Sequence, residues 1–344
     1  MAAPFLALAS GTHAQGTEAL PPAPALIVPS DDTEARRRAQ ALQIANAAVV
    51  GLRARVVDGA TSAASLGSLR TGSGVVIDDS GLVLTIGYLI LEAEQVDLLL
   101  DRTRSVPARV VAYDLSTGLG LVQSLVPLNV TPARFGSALT QPSDEPLMIA
   151  SAGLGGGVSL ARLVSRRPFS GYWEYHIDSA LFTVPPRSDH SGAALFNAEG
   201  ELLGIGSLVV TDVLGPKRPA LPGNMFVPVD LIRPILDELR ARGSVQAGRR
   251  AWLGASFIEQ EGGVYVVRVT ADSPAQAAGL RPGDRVLRID GAPVSSLEAF
   301  YKTLWSGGAP ERYVRLELYR GNVSETVDVR ATDRMRTFHR ALLI

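Results

Sequence analysis

From Asn46 onward the chain is cut into short apolar, β-branched runs, such as Gly74 to Ile77, Leu82 to Thr85, Val96 to Leu100 and Ala108 to Tyr113. Turn-forming stretches separate them, among them Asp78-Asp79-Ser80-Gly81 and Ala198-Glu199-Gly200. Runs this short suit strands and cannot form helices with a buried face of their own, so the spacing predicts an all-β barrel architecture. Helical signals are few. Leu231 to Leu239 carries apolar residues at helical spacing, which predicts a helix over about 231–241 with Asp230 as N-cap and Pro234 in its first turn. Ser295-Ser296-Leu297-Glu298 reads as an S-x-x-E capping box for a second helix, with Leu297, Phe300, Tyr301 and Leu304 on one face.

The 344 residues, 46% hydrophobic and 19% charged, suffice for two or three cores of ordinary size. A net charge of -1 lacks the basic footprint that a nucleic-acid partner demands, and Arg36-Arg37-Arg38 reads as a solvated helix face. There is no cysteine, hence no disulfide framework and no thiolate metal site. The four histidines are His13, His176, His190 and His339, and none has a ligand-spaced partner, so neither a metal nor a cofactor is expected. Met1 to Ala14 is apolar and ends in Thr12-His13-Ala14, the profile of a signal-peptide core without its basic start. That stretch is too short for a membrane span, and Leu20 to Pro29 is a Pro/Ala-rich linker. Together these predict a signal-like remnant and linker over 1–44 and a secreted or periplasmic location.

Asp189-His190-Ser191-Gly192-Ala193-Ala194-Leu195 resembles the nucleophile loop of the HtrA/DegP-type serine proteases. The resemblance recurs in order along the chain. Gly72-Ser73-Gly74 is similar to the strand before the family's histidine, Gly153 to Val158 to a Gly-rich turn, Val164-Ser165 to the end of a strand, and Met225-Phe226-Val227-Pro228 to the segment closing the second barrel. Ala251 to Ala255, Ser273 to Leu280 and Arg281-Pro282-Gly283-Asp284 are the phrases of a PDZ domain. The implied fold is mainly β: a trypsin-like double six-stranded β-barrel over 45–242, a hinge at 242–248, a PDZ domain over 249–334 and a tail over 335–344.

Two upstream segments depart from the family. Leu84-Thr85-Ile86-Gly87-Tyr88-Leu89-Ile90 puts Tyr88 where the resemblance implies the catalytic histidine, and Asp114 to Val122 puts Gly118 where it implies the aspartate. A hydroxyl attacks an amide usefully only when a base takes its proton, and a phenol with a pKa of about 10 is a poor acceptor at neutral pH. Gly118 has no side chain with which to orient a base. The oxyanion-hole positions are the amides of Asp189 and Ser191, and the resemblance implies a glycine where Asp189 stands, so its carboxylate is expected to oppose an oxyanion. His190 adjoins Ser191 on a tight turn where neighbouring side chains diverge, and His176 lies in an aromatic-rich strand, so neither is expected to serve as base.

In the PDZ segment, Trp252, Leu253, Gly254 and Ala255 resemble the loop whose amides receive a peptide's terminal carboxylate, with Leu297, Phe300 and Leu304 across the groove. The reading that follows is a pseudoprotease of envelope protein quality control that binds unfolded or C-terminal peptide segments, as an adaptor, chaperone-like binder or partner of an active relative. The alternatives are an active serine endopeptidase with another base and an inert scaffold. Relatives often form trimers, but Asp31 to Arg70 shows no clear trimer anchor.

Overall fold

The computed structural model describes residues 32–101, 103–143, 145–152, 156–216 and 218–339, so the signal-like segment and residues 153–155 of the Gly-rich run lie outside the described residues. Helix α1 (Asp32–Ala47) leads into β1 (Val49–Val56). After the short α2 (Ala63–Leu66) come β2 (Leu69–Val76), β3 (Leu82–Ile86), β4 (Ala93–Leu99), β5 (Ser105–Tyr113) and β6 (Leu119–Ser124). These strands close in the order β1-β2-β3-β6-β5-β4, with Leu52 opposite Leu98 at the seam between β1 and β4. Leu52, Val75, Leu84, Leu98 and Leu121 from successive strands are fully buried in the interior of this barrel.

A second barrel follows. It comprises β7 (Arg134–Phe135), β8 (Leu147–Ala150), β9 (Val158–Gly171), β10 (Tyr175–Val184), β11 (Ala194–Phe196), β12 (Glu201–Val210) and β13 (Gly223–Pro228). The order β11-β8-β9-β10-β13-β12 closes on itself through a β11–β12 pairing, and β7 adds a short parallel edge to β12. The expected double six-stranded barrel is therefore present, and fully buried Phe182, Phe196 and Phe226 fill the second half.

The helix expected over 231–241 is shorter. Two 3₁₀ turns, Val229–Leu231 and Arg233–Ile235, precede α3 (Leu236–Arg242), which has no side-chain cap. Pro234 has no N–H and favours the tighter turn, while Asp230 is drawn off to accept hydrogen bonds from Ser137 Oγ at 2.7 Å and the Ala138 amide at 2.8 Å. Part of the expected hinge is fixed, since Val245 is 5% exposed and belongs to the barrel core.

The C-terminal module has a separate core. Here β14 (Ala251–Trp252) pairs with β21 (Thr332–Asp333), joining the two ends of the module. Between them lie β15 (Ala255–Gln260), β16 (Gly263–Val269), α4 (Pro274–Ala277), β17 (Arg285–Ile289), β18 (Ala292–Pro293), α5 (Leu297–Ser306), β19 (Tyr313–Arg320) and β20 (Val323–Arg330). The sheet runs β15-β16-β17-β19-β20, leaving β15 at an edge. Ser273 caps α4, as its Oγ accepts from the Gln276 amide. For α5 the capping box shifts by one residue: Ser296, not Ser295, accepts from the Ala299 amide, and Glu298 pairs with Lys302 at 2.7 Å instead of reaching back to the cap.

Beyond β21 the chain returns to the first barrel. Glu92, 6% exposed, accepts hydrogen bonds from the amides of Thr61 at 3.1 Å, Ser62 at 2.8 Å and His339 at 2.8 Å. Thr61 Oγ1 also donates to the Thr337 carbonyl at 3.3 Å. The C-terminal module is thus attached to the barrels at both of its ends.

Candidate active site and peptide groove

Ser191 lies on the loop between β10 and β11, at the junction of the two barrels. Its carbonyl accepts from the Ser73 amide of β2 at 2.9 Å, and the Gly192 amide donates to the Gly206 carbonyl at 2.9 Å. Gly192 has φ +74°, and a Cβ there would stand 1.9 Å from the Ser73 carbonyl oxygen. Glycine is required at this position both by backbone conformation and by the close approach of β2.

Tyr88 sits in the 3₁₀ turn after β3, and the buried guanidinium of Arg70 fixes the backbone of that turn. Arg70 Nη1 donates to the carbonyls of Tyr88 and Leu91, each at 2.8 Å. The phenol oxygen of Tyr88 is 2.8 Å from Ser191 Oγ and 2.9 Å from the Ser207 carbonyl oxygen. A carbonyl can only accept, so the single phenol proton is directed at Ser207 and the Ser191 hydroxyl donates to the phenol oxygen. Ser191 therefore donates to a neutral, weakly basic oxygen. Burial pushes the Tyr88 phenol up to about 12, against the hydrogen bond with Ser191, which lowers it.

Gly118 lies in the β5–β6 turn at φ +74°, and its carbonyl accepts from the Gly87 amide at 2.7 Å. Space for a side chain is taken by Tyr175: a Cβ on Gly118 would meet that ring's Cε2 and hydroxyl at 3.2 Å. The Tyr175 hydroxyl donates to the Thr117 carbonyl at 2.6 Å. Asp114 shapes the turn locally, accepting from Ser116 Oγ at 2.6 Å and the Thr117 amide at 2.8 Å.

The carboxylate of Asp189 has a partner that the sequence reading did not identify. Arg187 Nε donates to Oδ1 at 2.8 Å and Arg187 Nη2 to Oδ2 at 2.5 Å, while Ser151 Oγ also donates to Oδ2. Burial alone would raise this carboxyl, but the hydrogen bonds from Arg187 and Ser151 and the Arg187 charge hold it below the usual carboxylate range. Arg187 reaches further, to Ser159 Oγ at 2.6 Å and the Gly157 carbonyl at 3.1 Å. The negative charge set against an oxyanion is thus paired with Arg187.

The two histidines of the second barrel have partners of their own. His190 Nδ1 lies 3.2 Å from the Arg187 carbonyl, and burial lowers its pKa. His176 is buried in β10 opposite Ser170, with Nδ1 2.9 Å from Ser170 Oγ. His176 also stands with Asp178 and Glu298 in a group whose candidate ligand atoms lie within 4.8 Å, assembled across two domains and so not legible from spacing. The Lys302 ammonium already occupies it, 2.7 Å from each carboxylate.

The loop of Trp252, Leu253, Gly254 and Ala255 presents a row of amides, and these receive a carboxylate from the second barrel. Glu174, in the tight turn between β9 and β10, accepts from the amides of Leu253 at 2.9 Å, Gly254 at 2.8 Å and Ala255 at 3.1 Å. The Phe257 amide on edge strand β15 donates to the Tyr172 carbonyl at 2.9 Å. Leu297, Phe300 and Leu304 are 6%, 0% and 0% exposed, with the Phe300 ring 4.7 Å from that of Phe257. Across this contact, the Tyr301 hydroxyl donates to the Gly171 carbonyl at 2.8 Å and accepts from the Glu174 amide at 3.2 Å.

Comparison with known proteins agrees with this architecture. Residues 72–205 match the trypsin-like peptidase domain family, and residues 251–331 match the PDZ domain family. The chain is 27% identical over 273 residues to the probable periplasmic serine endoprotease DegP-like of Pseudomonas fulva, covering 75% of this chain and 55% of the relative. It is 27% identical over 244 residues to the periplasmic serine endoprotease DegP of Escherichia coli, covering 67% and 50%. With the putative protease Do-like 14 of Arabidopsis thaliana it shares 29% identity over 260 residues, covering 65% and 57%. The chain spans about half the length of the curated relatives it matches. Among solved structures, an HtrA-type protease AlgW with tripeptide superposes with a TM-score of 0.54 at 20% identity, covering 86% of this chain and 97% of that one. A serine endoprotease from Yersinia pestis gives 0.53 at 24% identity, covering 89% and 99%. At these identities the structures establish the fold alone. A trypsin-like peptidase domain is therefore joined here to a PDZ domain, in a chain similar to the DegP serine endoproteases.

Proposed function

We propose that this chain has lost efficient proteolysis and acts by binding peptide segments, as an adaptor, chaperone-like or regulatory protein. The observation that carries this reading is the Tyr88 phenol oxygen at 2.8 Å from Ser191 Oγ and 2.9 Å from the Ser207 carbonyl oxygen. Acyl transfer needs a group that can take the serine proton at neutral pH, and a neutral phenol cannot. Gly118 supplies no orienting carboxylate. Losing the whole triad in a comparable enzyme costs about six orders of magnitude in turnover, so only slow background hydrolysis would survive. The names of the relatives support a periplasmic setting. No helix among the described residues is long and apolar enough to cross a membrane. Peptide capture in the PDZ groove and assembly into homo-oligomers belong to the same proposal.

The competing reading, an active endopeptidase, draws on the relatives, which are named as endoproteases. The two separate on incubation with casein beside a Ser191→Ala control. Equal, negligible cleavage by both supports the binding role, and cleavage that disappears in the variant overturns it.

A further inference from the structure

The turn between β9 and β10 meets the PDZ groove in the way an extended peptide with a free carboxylate would. A peptide bound by strand addition supplies two things: main-chain groups for the edge strand and a carboxylate for the amide loop. Both are supplied here from within the chain. Tyr172 offers its carbonyl to the Phe257 amide of β15, and Glu174 offers its carboxylate to three successive amides of the loop. The turn is held from the other side as well, because Tyr301 on α5 bonds the Gly171 carbonyl and Arg334 Nη1 donates to the Trp173 carbonyl at 3.0 Å. Glu174 is 5% exposed and sits at φ +58°, so a non-glycine residue is kept in a left-handed conformation at the point of contact.

We infer that the Tyr172-Trp173-Glu174 turn is an internal ligand that closes the PDZ groove, so that an external C-terminal peptide binds only by displacing Glu174 from the amides of Leu253, Gly254 and Ala255. This rests on the reading of the groove as a carboxylate-recognising site. It adds that the site is regulated by the protease-fold domain. The occupant that opens it is a peptide bearing a free α-carboxylate, since it must replace the Glu174 side-chain carboxylate hydrogen bond for hydrogen bond.

The test uses the full chain and a fluorescein-labelled, alanine-rich peptide ending in valine, prepared as free acid and as amide. A groove open for a tenth of the time or less weakens apparent affinity about tenfold or more, so Glu174→Ala should tighten free-acid binding by at least that factor. Binding of the amide should stay weak in both proteins. Tyr301→Phe keeps the core ring, loses the hydroxyl that holds the turn, and should give a smaller shift in the same direction; it also serves if Glu174→Ala folds poorly. Hydrogen exchange at the Leu253, Gly254 and Ala255 amides gives a peptide-independent readout, with faster exchange expected in Glu174→Ala. If wild type binds free acid as tightly as the variants do, the closure is refuted while peptide capture stands. If no protein binds although the amides exchange faster in Glu174→Ala, both the closure and peptide capture fail. Amides equally protected with and without Glu174, and no gain in binding, refute the internal ligand itself.

Discussion

Replacing Tyr88 by phenylalanine asks whether the phenol does anything for Ser191. For the phenol oxygen to act as a base it must first be ionised, and its pKa is pushed up to about 12. At pH 7 the phenolate fraction is then about 10⁻⁵, a cost of about 7 kcal/mol at 1.36 kcal/mol per unit; even an unshifted phenol near 10 would cost about 4 kcal/mol. A histidine of ordinary pKa is already largely neutral there and bears almost none of this. The greater basicity of a phenolate returns part of the difference, so Ser191 should react at least about 10³-fold more slowly than a histidine-activated serine. The measurement is the second-order rate of fluorophosphonate labelling of wild type, Tyr88→Phe and Ser191→Ala between about pH 6 and 9, the range in which a histidine would titrate. Wild type and Tyr88→Phe should agree within about threefold and lie near the Ser191→Ala background, with no inflection near pH 7. Fast labelling at pH 7 that is lost in both variants would refute the reasoning. So would a rate rising about tenfold per pH unit in wild type alone, since that is the behaviour of a phenolate base.

Restoring the implied aspartate should be costly: Gly118→Asp places a Cβ at φ +74° and 3.2 Å from the Tyr175 ring, so melting should show a loss of about 1–3 kcal/mol. Tyr88→His with Gly118→Asp should accordingly regain little probe reactivity, and a rapid gain would show that the turn adapts. Gly192→Ala drives a methyl to 1.9 Å from the Ser73 carbonyl oxygen and should destabilise by about 3 kcal/mol or more, read by thermal melting. Arg187→Ala unpairs Asp189, whose lowered pKa contributes stability present above the unfolded value near 4 and lost as pH falls through the folded one. With the two side chains 15% and 32% exposed, the loss should be about 1–3 kcal/mol at pH 7 and shrink toward pH 2 in pH-resolved denaturation.

Strand-period patterning and turn residues carry the fold because they are local. Asp78 to Gly81 turns the chain between β2 and β3, as its turn residues lead one to expect. The helix after β13 begins later than its periodicity suggests because Asp230 is engaged by Ser137 and Ala138, far away in sequence. The Tyr88–Ser191 juxtaposition was legible only through the family resemblance, for 103 residues separate the two. Arg187 stood two residues from Asp189, and the signal that could have found it is the need of a partly buried carboxylate for a cation. Nothing local marks Glu174, because its partners are backbone amides 79 to 81 residues away, and amides leave no trace in side-chain identity.

Attachment of the PDZ domain at both ends has a consequence for how strongly Glu174 must bind. A ligand tethered beside its site acts at an effective concentration that is on the order of 10 mM for short connections. At that concentration a turn with an intrinsic affinity of only about 1 mM occupies the groove nine-tenths of the time. Little more than about 1.4 kcal/mol then separates the filled from the vacant groove, since a factor of ten in population is worth that much. The strap formed by the Thr337 carbonyl on Thr61 and the His339 amide on Glu92 therefore sets the threshold for entry from outside the groove. Releasing that one strap would dilute the internal competitor and sensitise the domain to outside peptides, with every residue of the binding surface unchanged.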